Sequence, residues 1–108
     1  MMMGEVEKGL EIVRTARSRY DGRIRNPFNE YECGHWYARA MSSYGTLQGL
    51  TGVRYDALEQ IMYIDSRIGD FTSFISTATG FGTITLKNGI PSLNVAYGDI
   101  TVKKYINR

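Results

Sequence analysis

Apolar residues recur every three or four positions in two stretches of the first half of the chain, which predicts two helices. The first spans about residues 4–20 and stops at Asp21-Gly22, because glycine readily adopts the left-handed conformation that closes a helix. The second spans about residues 34–50 and stops at Gly52. Its two sides differ in character. The apolar side consists of Trp36, Ala40, Tyr44, Leu47 and Leu50, and the polar stripe opposite consists of His35, Arg39, Ser42 and Thr46.

After Val53 the apolar period shortens from about 3.6 to about 2 residues, which predicts strands between about residues 59 and 106. The individual candidates are 61–64, 71–76, 83–87, 93–97 (with Leu93, Val95 and Tyr97 alternating together) and 100–102. Asn88-Gly89 is typical of a two-residue hairpin, and Gly98-Asp99 predicts a second tight turn. Pro91 has no amide hydrogen, so its strand should lie at a sheet edge or begin late.

These elements predict an α+β fold, with two helices followed by an antiparallel β meander, in a single domain over residues 1–108. The chain is 43% hydrophobic and 22% charged, as expected for a globular protein. A net charge of +2 gives little attraction to nucleic acid or anionic membranes. No apolar run approaches the roughly 20 residues of a membrane span, and the first residues do not resemble a secretory signal. We therefore expect a soluble, cytoplasmic protein.

The chemically reactive residues are concentrated between Asn29 and Met41, a stretch that holds the only cysteine, histidine and tryptophan of the chain. Glu30 and Glu32 can be an acid/base pair of the kind that cleaves glycosidic bonds. Alternatively, they supply favourable negative charge just before a helix N-terminus. Cys33 and His35 are two residues apart at a helix start and point in different directions, so direct activation of the thiol is not expected.

No cofactor is indicated, and no metal site is predicted, because a zinc site needs three or four ligands and the chain has one cysteine and one histidine. Arg39 lies one turn from His35 on the polar stripe. Its guanidinium can grip vicinal hydroxyls of a sugar, with Tyr31, Trp36 or Phe28 as an aromatic wall, or it can form a salt bridge with Glu30. From the residues alone, both interpretations stay open.

Five arginines lie between residues 14 and 25, and such a cluster of positive charge can favour nucleic-acid binding. No nucleic-acid-binding motif accompanies them, however. Those within the first helix do not share one narrow face. A solvated helix end explains them better, and we expect no nucleic-acid partner.

The central motif resembles the C-terminal part of glycoside hydrolase family 116, the non-lysosomal glucosylceramidases, bile-acid β-glucosidases and their bacterial relatives. The motif runs Asn26-Pro27-Phe28-Asn29-Glu30-Tyr31-Glu32-Cys33-Gly34, then Tyr37-Ala38-Arg39-Ala40-Met41-Ser42-Ser43-Tyr44-Gly45. The flanks that agree are Arg19-Tyr20-Asp21-Gly22, Leu50-Thr51-Gly52-Val53-Arg54-Tyr55-Asp56, Phe71 to Phe74 and Gly80-Phe81-Gly82. The resemblance extends over about residues 10 to 85.

The resemblance implies that the two helices are a remnant of the family's (α/α)6 barrel. Family members are retaining glycosidases whose nucleophilic glutamate and acid/base aspartate lie upstream of the matching region, so it implies no catalytic residue here. Glu30 and Arg39 would instead hydrogen-bond sugar hydroxyls. Relatives commonly carry histidine directly before Tyr-Ala-Arg, whereas this chain has Trp36 there and His35 one position earlier. That shift rotates the imidazole by about 100° onto the polar stripe. His35 and Trp36 complete the set of candidate sugar contacts, with Trp36 alternatively a packing residue.

We therefore expect a C-terminal fragment of a retaining β-glycosidase that supplies part of a sugar-binding subsite and is inactive alone. Its partners would be a glucose-like sugar or glycoside and an upstream catalytic segment or partner chain. Self-association into a homo-oligomer would cover the apolar helix faces. The alternative is a small non-catalytic carbohydrate-binding or protein-interaction module.

Overall fold

The computed structural model describes residues 1–19, 23 and 44–108. These residues contain two helices and six strands, and the predicted α+β class is confirmed. The chain divides into two compact units, Met1–Thr46 and Leu47–Arg108.

The first predicted helix corresponds to α1, Val6–Ser18. The side chain of Glu5, which precedes it, makes no capping hydrogen bond and instead pairs with Lys8 at 3.1 Å. Both charged groups are well exposed, so this pair contributes little to stability. None of the α1 side chains is buried within the described structure, and Val6, Leu10 and Val13 are half-buried.

The second helix, α2, is described over Tyr44–Thr51, and positions 34–43 of the predicted element lie outside the described residues. Gly52 has a φ of 63° and donates its amide hydrogen to the carbonyl of Gln48 at 2.8 Å, so the predicted stop at this glycine is confirmed. The Thr51 hydroxyl donates to the Leu47 carbonyl at 2.9 Å and accepts from the Val53 amide at 3.3 Å. The first bond lies within α2, and the second ties the end of α2 to the residue before the first strand.

One three-stranded sheet has the order β1-β2-β6, where β1 is Arg54–Asp56, β2 is Ile61–Ile64 and β6 is Lys104–Asn107. The first pair is antiparallel, but β2 and β6 run parallel, so the prediction of antiparallel strands throughout is wrong for this pair. Parallel neighbours need a long connection, and here the connection between β2 and β6 contains the whole second sheet.

The second sheet has the order β3-β4-β5, where β3 is Phe71–Ser76, β4 is Gly80–Lys87 and β5 is Ile90–Gly98, and all its pairs are antiparallel. Asn88 and Gly89, with φ of 51° and 76°, form the predicted two-residue hairpin. Pro91 lies on β5, which is an edge strand of this sheet, as its missing amide hydrogen requires.

The strand predicted at residues 100–102 is wrong, and the hydrogen bonds of this segment and of the two residues that flank it go to loops and a side chain instead of to a strand ladder. The amide of Asp99 donates to the Thr79 carbonyl at 3.1 Å, the Tyr55 hydroxyl donates to the Thr101 carbonyl at 2.6 Å, and the amide of Lys103 donates to the Gln60 carbonyl at 2.8 Å. Strand geometry resumes only at β6.

Both sheets contribute to one hydrophobic core within the unit Leu47–Arg108. Met62 and Ile64 of β2 and Ile84 of β4 are completely buried. The other buried members are Ile75, Leu86 and Ile100. Every second residue of β4 from Gly80 to Leu86 is buried and the positions between are more exposed, so the second sheet has an inner face towards this core and an outer face away from it.

Candidate functional site

The residues predicted from the sequence to contact a sugar lie outside the described residues. They are Glu30, His35, Trp36 and Arg39. Glu32 and Cys33, the other reactive residues of that stretch, lie outside them as well. The sugar-contact roles of these side chains therefore stay predictions, and the described residues offer a different surface.

This surface, which we call the outer face, is the side of the β3-β4-β5 sheet that points away from the core. Strand pairing arranges its side chains in rows across the three strands. The rows are Ser76, Phe81 and Tyr97; Phe74, Thr83 and Asn94; Thr72, Thr85 and Ser92; and finally Lys87 with Ile90. Aromatic side chains thus gather at one end of the face, and small hydroxyl and amide side chains follow them.

Three aromatic rings lie together at that end, one from each strand. The ring centroids of Phe81 and Tyr97 are 5.6 Å apart, with 23° between the ring planes, and those of Phe74 and Phe81 are 6.3 Å apart. Offset aromatic pairs at such distances contribute about 0.5–1.5 kcal/mol each beyond area burial. All three rings stay substantially exposed, at 51% for Phe74, 43% for Phe81 and 71% for Tyr97. The cluster is therefore an ordered apolar surface open to solvent.

A β-bulge places Tyr97 in this cluster. Gly82 pairs with Val95 and the preceding Phe81 pairs with Tyr97, so Ala96 is an extra residue in β5. Without the extra residue, Tyr97 would share the inner face with Val95, as the alternation in the sequence predicts. That prediction is wrong for Tyr97, because a bulge reverses the alternation beyond it and re-aims the next side chain.

Glycine at position 82 permits the bulged strand to approach β4 closely. A Cβ atom added there would overlap the carbonyl oxygen of Asn94 and lie 2.9 Å from the Cα atom of Val95. A Cβ atom added at Gly80 would lie 2.8 Å from the amide nitrogen of Asp99. The sequence Gly80-Phe81-Gly82 thus combines two inward positions without side chains and one outward ring. The repeated glycine was visible in the sequence, but the bulge that it accommodates was not.

Apart from Ile90, the remainder of the outer face is polar and nearly uncharged. The hydroxyls of Thr72 and Thr85 bond to each other across the strands at 3.0 Å. Within the described part of the chain, the side chains of Thr83, Ser92 and Asn94 have no protein hydrogen-bond partner. They are exposed and can donate to and accept from a ligand. Lys87 is the single charged member of the rows that define the face.

A shallow groove of about 330 Å³ is a weaker candidate in the same unit. Its walls include Arg54, Tyr55, Ile75 and Thr77. The volume suits a small molecule, but several polar groups of the lining already have protein partners. The Tyr55 hydroxyl donates to Thr101 as described above, and the Thr77 hydroxyl donates to the Gly80 carbonyl at 3.0 Å. The Arg54 guanidinium lies 4.8 Å from the ring centroid of Tyr63.

Titratable groups in the described residues do not form a reactive cluster. Among them, no three His, Cys, Asp or Glu side chains lie where they can hold a metal ion together. Burial raises the pKa of the Tyr105 phenol on β6 above its usual value of 10.0, since desolvation disfavours the phenolate. Neither helix, as far as the structure describes it, has both the length and the apolar character needed to cross a membrane.

Comparison with known proteins leaves the family open. No protein-family model matches the chain, and no curated protein matches it. The resemblance to glycoside hydrolase family 116 therefore stays a prediction from the motif residues.

Proposed function

We propose that this chain is the C-terminal part of a retaining β-glycosidase of the glucosylceramidase or β-glucosidase type. Its role is to supply part of the sugar-binding subsite. Glu30 and Arg39 bind hydroxyls of a glucose-like ring, with His35 and Trp36 beside them. The nucleophile and the acid/base group belong to an upstream catalytic segment or to a partner chain.

The observation that carries this proposal is the motif between residues 26 and 45. It combines a carboxylate that can accept from sugar hydroxyls with a guanidinium that can donate to two of them at once. The order of elements is compatible with it, since α2 is followed directly by strands, as expected for the end of a helical barrel with trailing strands. The helices are, in this proposal, the remnant of that barrel.

The test is a titration of the full chain with glucose, followed by NMR. A single wall cannot desolvate a ligand as a closed pocket does, so we expect binding no tighter than millimolar. Glu30→Gln and Arg39→Gln should each abolish it, because each removes a charged hydrogen-bond partner. Arg108→Gln is the matched control, since Arg108 is an exposed arginine outside both the motif and the groove. Unchanged glucose binding by Arg39→Gln would contradict the proposed subsite.

Catalytic incompetence is tested separately. The isolated chain should not hydrolyse an aryl β-glucoside, because both catalytic carboxylates of the family lie upstream of the matching region. Turnover by purified chain, abolished by Glu30→Gln, would contradict this assignment and make Glu30 a catalyst.

The second candidate is a small non-catalytic carbohydrate-binding or protein-interaction module. The unit Leu47–Arg108 favours it, because this unit has its own buried core from two sheets and presents an exposed aromatic outer face. Sugar binding that is independent of Glu30 and Arg39 would select the module.

A further inference from the structure

We propose that β5 pairs antiparallel with β5 of a second copy of this chain, which joins two β3-β4-β5 sheets into one continuous six-stranded sheet. The contact uses the side of β5 that points away from β4, which we call the open edge. A twofold axis passes through Asn94, so that Leu93 of each copy lies opposite Val95 of the other. This contact involves none of the residues between positions 26 and 45 and is independent of the proposed function.

The hairpin determines which backbone groups lie on the open edge. Its turn contains only Asn88 and Gly89, so Ile90, directly after the turn, is hydrogen-bonded to β4. Bonded and non-bonded residues then alternate along an antiparallel strand, which makes Leu93 and Val95 non-bonded towards β4. Their amide and carbonyl groups therefore point to the open edge, and no other described residue pairs with them.

The groups on the open edge are complementary to themselves about Asn94. When two antiparallel β5 strands lie with their Asn94 residues opposite each other, Leu93 of each copy forms a bonded pair with Val95 of the other. Each such pair exchanges two hydrogen bonds, and the twofold symmetry forms the pair twice. The Asn94 side chains, which are exposed, become a cross-strand pair whose amides can donate to and accept from each other.

The inner face of β5 also favours a partner strand of this composition. Leu93 and Val95 are only half-buried there, whereas Ile84, opposite Leu93 on β4, is completely buried. The core is therefore incompletely covered at the open edge, and the partner strand adds the same two apolar side chains at that place. No charged residue lies between positions 90 and 98, so the pairing brings no like charges of β5 together.

The two ends of β5 select a second copy over an unrelated strand. Ile90 and Tyr97 both belong to the outer face, are both 71% exposed and lie on opposite sides of Asn94. Pairing about Asn94 places Ile90 of one copy near Gly98 of the other, beside Tyr97. An apolar contact thus forms at each end of the paired segment. An unrelated strand would need apolar side chains at both places, and a second copy supplies them by symmetry.

Pro91 and the bulge at Ala96 determine the register. Prolines and bulges commonly prevent the pairing of edge strands, but both lie outside the segment from Ser92 to Val95. In a register centred on Leu93, Val95 would lie opposite Pro91, which has no amide hydrogen to donate. In a register centred on Val95, Leu93 would lie opposite a residue beyond the bulge. The paired segment is short, so we expect the weak association that is typical of a small contact.

The test is sedimentation velocity of the full chain from about 1 µM to about 1 mM, a range that covers weak association. The mass of the wild type should rise from monomer towards dimer. Asn94→Lys should raise the dissociation constant at least about tenfold, because it places two like charges side by side at the axis. Thr83→Lys is the matched control, since Thr83 is exposed in the same row of the outer face but lies on the central strand β4.

Hydrogen exchange of individual amides, followed by NMR on the wild type, tests the contact without any substitution. Exchange at Leu93 and Val95 should slow as the chain concentration rises, in proportion to the loss of monomer. Exchange at Asn94 should change little, because alternation leaves its amide bonded to β4 in both states.

Each other outcome overturns the inference. A chain that stays monomeric up to about 1 mM leaves the open edge to a strand of another protein at most. A dimer that Asn94→Lys leaves intact, or that Thr83→Lys disrupts equally, has its contact elsewhere, as on the outer face or on the helices. Circular dichroism of both variants should match the wild type, because the substituted side chains are exposed. If a variant loses its structure, exchange at Leu93 and Val95 that does not depend on concentration overturns the inference by itself.

Discussion

Substitution of Gly82 by alanine tests the link between the glycine, the bulge and the outer face. The added methyl group would overlap the Asn94 carbonyl oxygen and lie 2.9 Å from the Val95 Cα atom and 3.0 Å from the Asn94 carbonyl carbon. All three atoms belong to the backbone of β5. Relief therefore requires a shift of the strand itself, since a change of side-chain rotamer cannot remove the overlap.

The expected cost follows from two opposing contributions. Insertion of a methyl group into well-packed structure costs about 1–3 kcal/mol. The cost at Gly82 should lie near the upper value, because the methyl group overlaps backbone atoms, which cannot move aside as a side chain can. Alanine also lowers the conformational entropy of the unfolded chain, which stabilises the folded state by about 0.4–1 kcal/mol. We expect a net loss of about 2 kcal/mol. That is a large fraction of the total stability of a small domain, which is about 5–15 kcal/mol.

The assay is urea denaturation of the full chain followed by circular dichroism, with the denaturant slope compared between variants. Gly45→Ala is the matched control, because among the described residues no atom outside its chain neighbours and its own helix backbone lies within 4 Å of the added methyl group. Gly45 is inside α2, so alanine there should stabilise the chain by up to about 1 kcal/mol. The reasoning would be refuted if Gly82→Ala were as stable as the wild type, or if both substitutions destabilised the chain equally.

Two further predictions concern the core and the alkaline limit of stability. Ile84→Ala should lower the free energy of unfolding by about 2–5 kcal/mol, because the side chain is completely buried and leaves a cavity. Ile90→Ala, at a side chain 71% exposed, should change it by less than about 0.5 kcal/mol, and comparable losses would contradict the described core. Burial raises the pKa of Tyr105, so its contribution to stability is complete below pH 10.0 and is lost as the pH rises through the higher pKa of the folded state. The free energy of unfolding of Tyr105→Phe should therefore fall less than that of the wild type as the pH rises through the alkaline range. The difference should be small, since the Tyr105 side chain is 36% exposed. Identical dependence of stability on pH in the two proteins would contradict a contribution from Tyr105.

Local features of the fold were predictable because they depend on neighbours in sequence. The bounds of β2 and β3 equal the predicted segments, since short runs rich in isoleucine, aromatic residues and threonine indicate strands. Asn88-Gly89 predicted its hairpin because few other residue pairs adopt positive φ twice in succession. Gly52 marked the end of α2 for a similar reason. The candidate site between positions 26 and 45 depended on residue types and a motif alone, and its geometry lies outside the described residues.

Other features depend on residues far apart in the chain. Parallel pairing of β2 with β6 joins segments about 40 residues apart, and the two local patterns are equally compatible with antiparallel neighbours. Ile100 belongs to the core but not to a strand, because loop carbonyls and a tyrosine hydroxyl take the bonds of its neighbours.

The sequence by itself determined that this chain begins with helices and continues with short strands, and where most of those strands lie. Only the tertiary structure decided that Tyr97 faces outward beside Phe81. The alternation in β5 assigns it to the core, and the extra residue at Ala96 reverses that assignment. A bulge is a property of two strands in register, since it depends on which partner residue each position opposes. No local pattern of one strand contains that information.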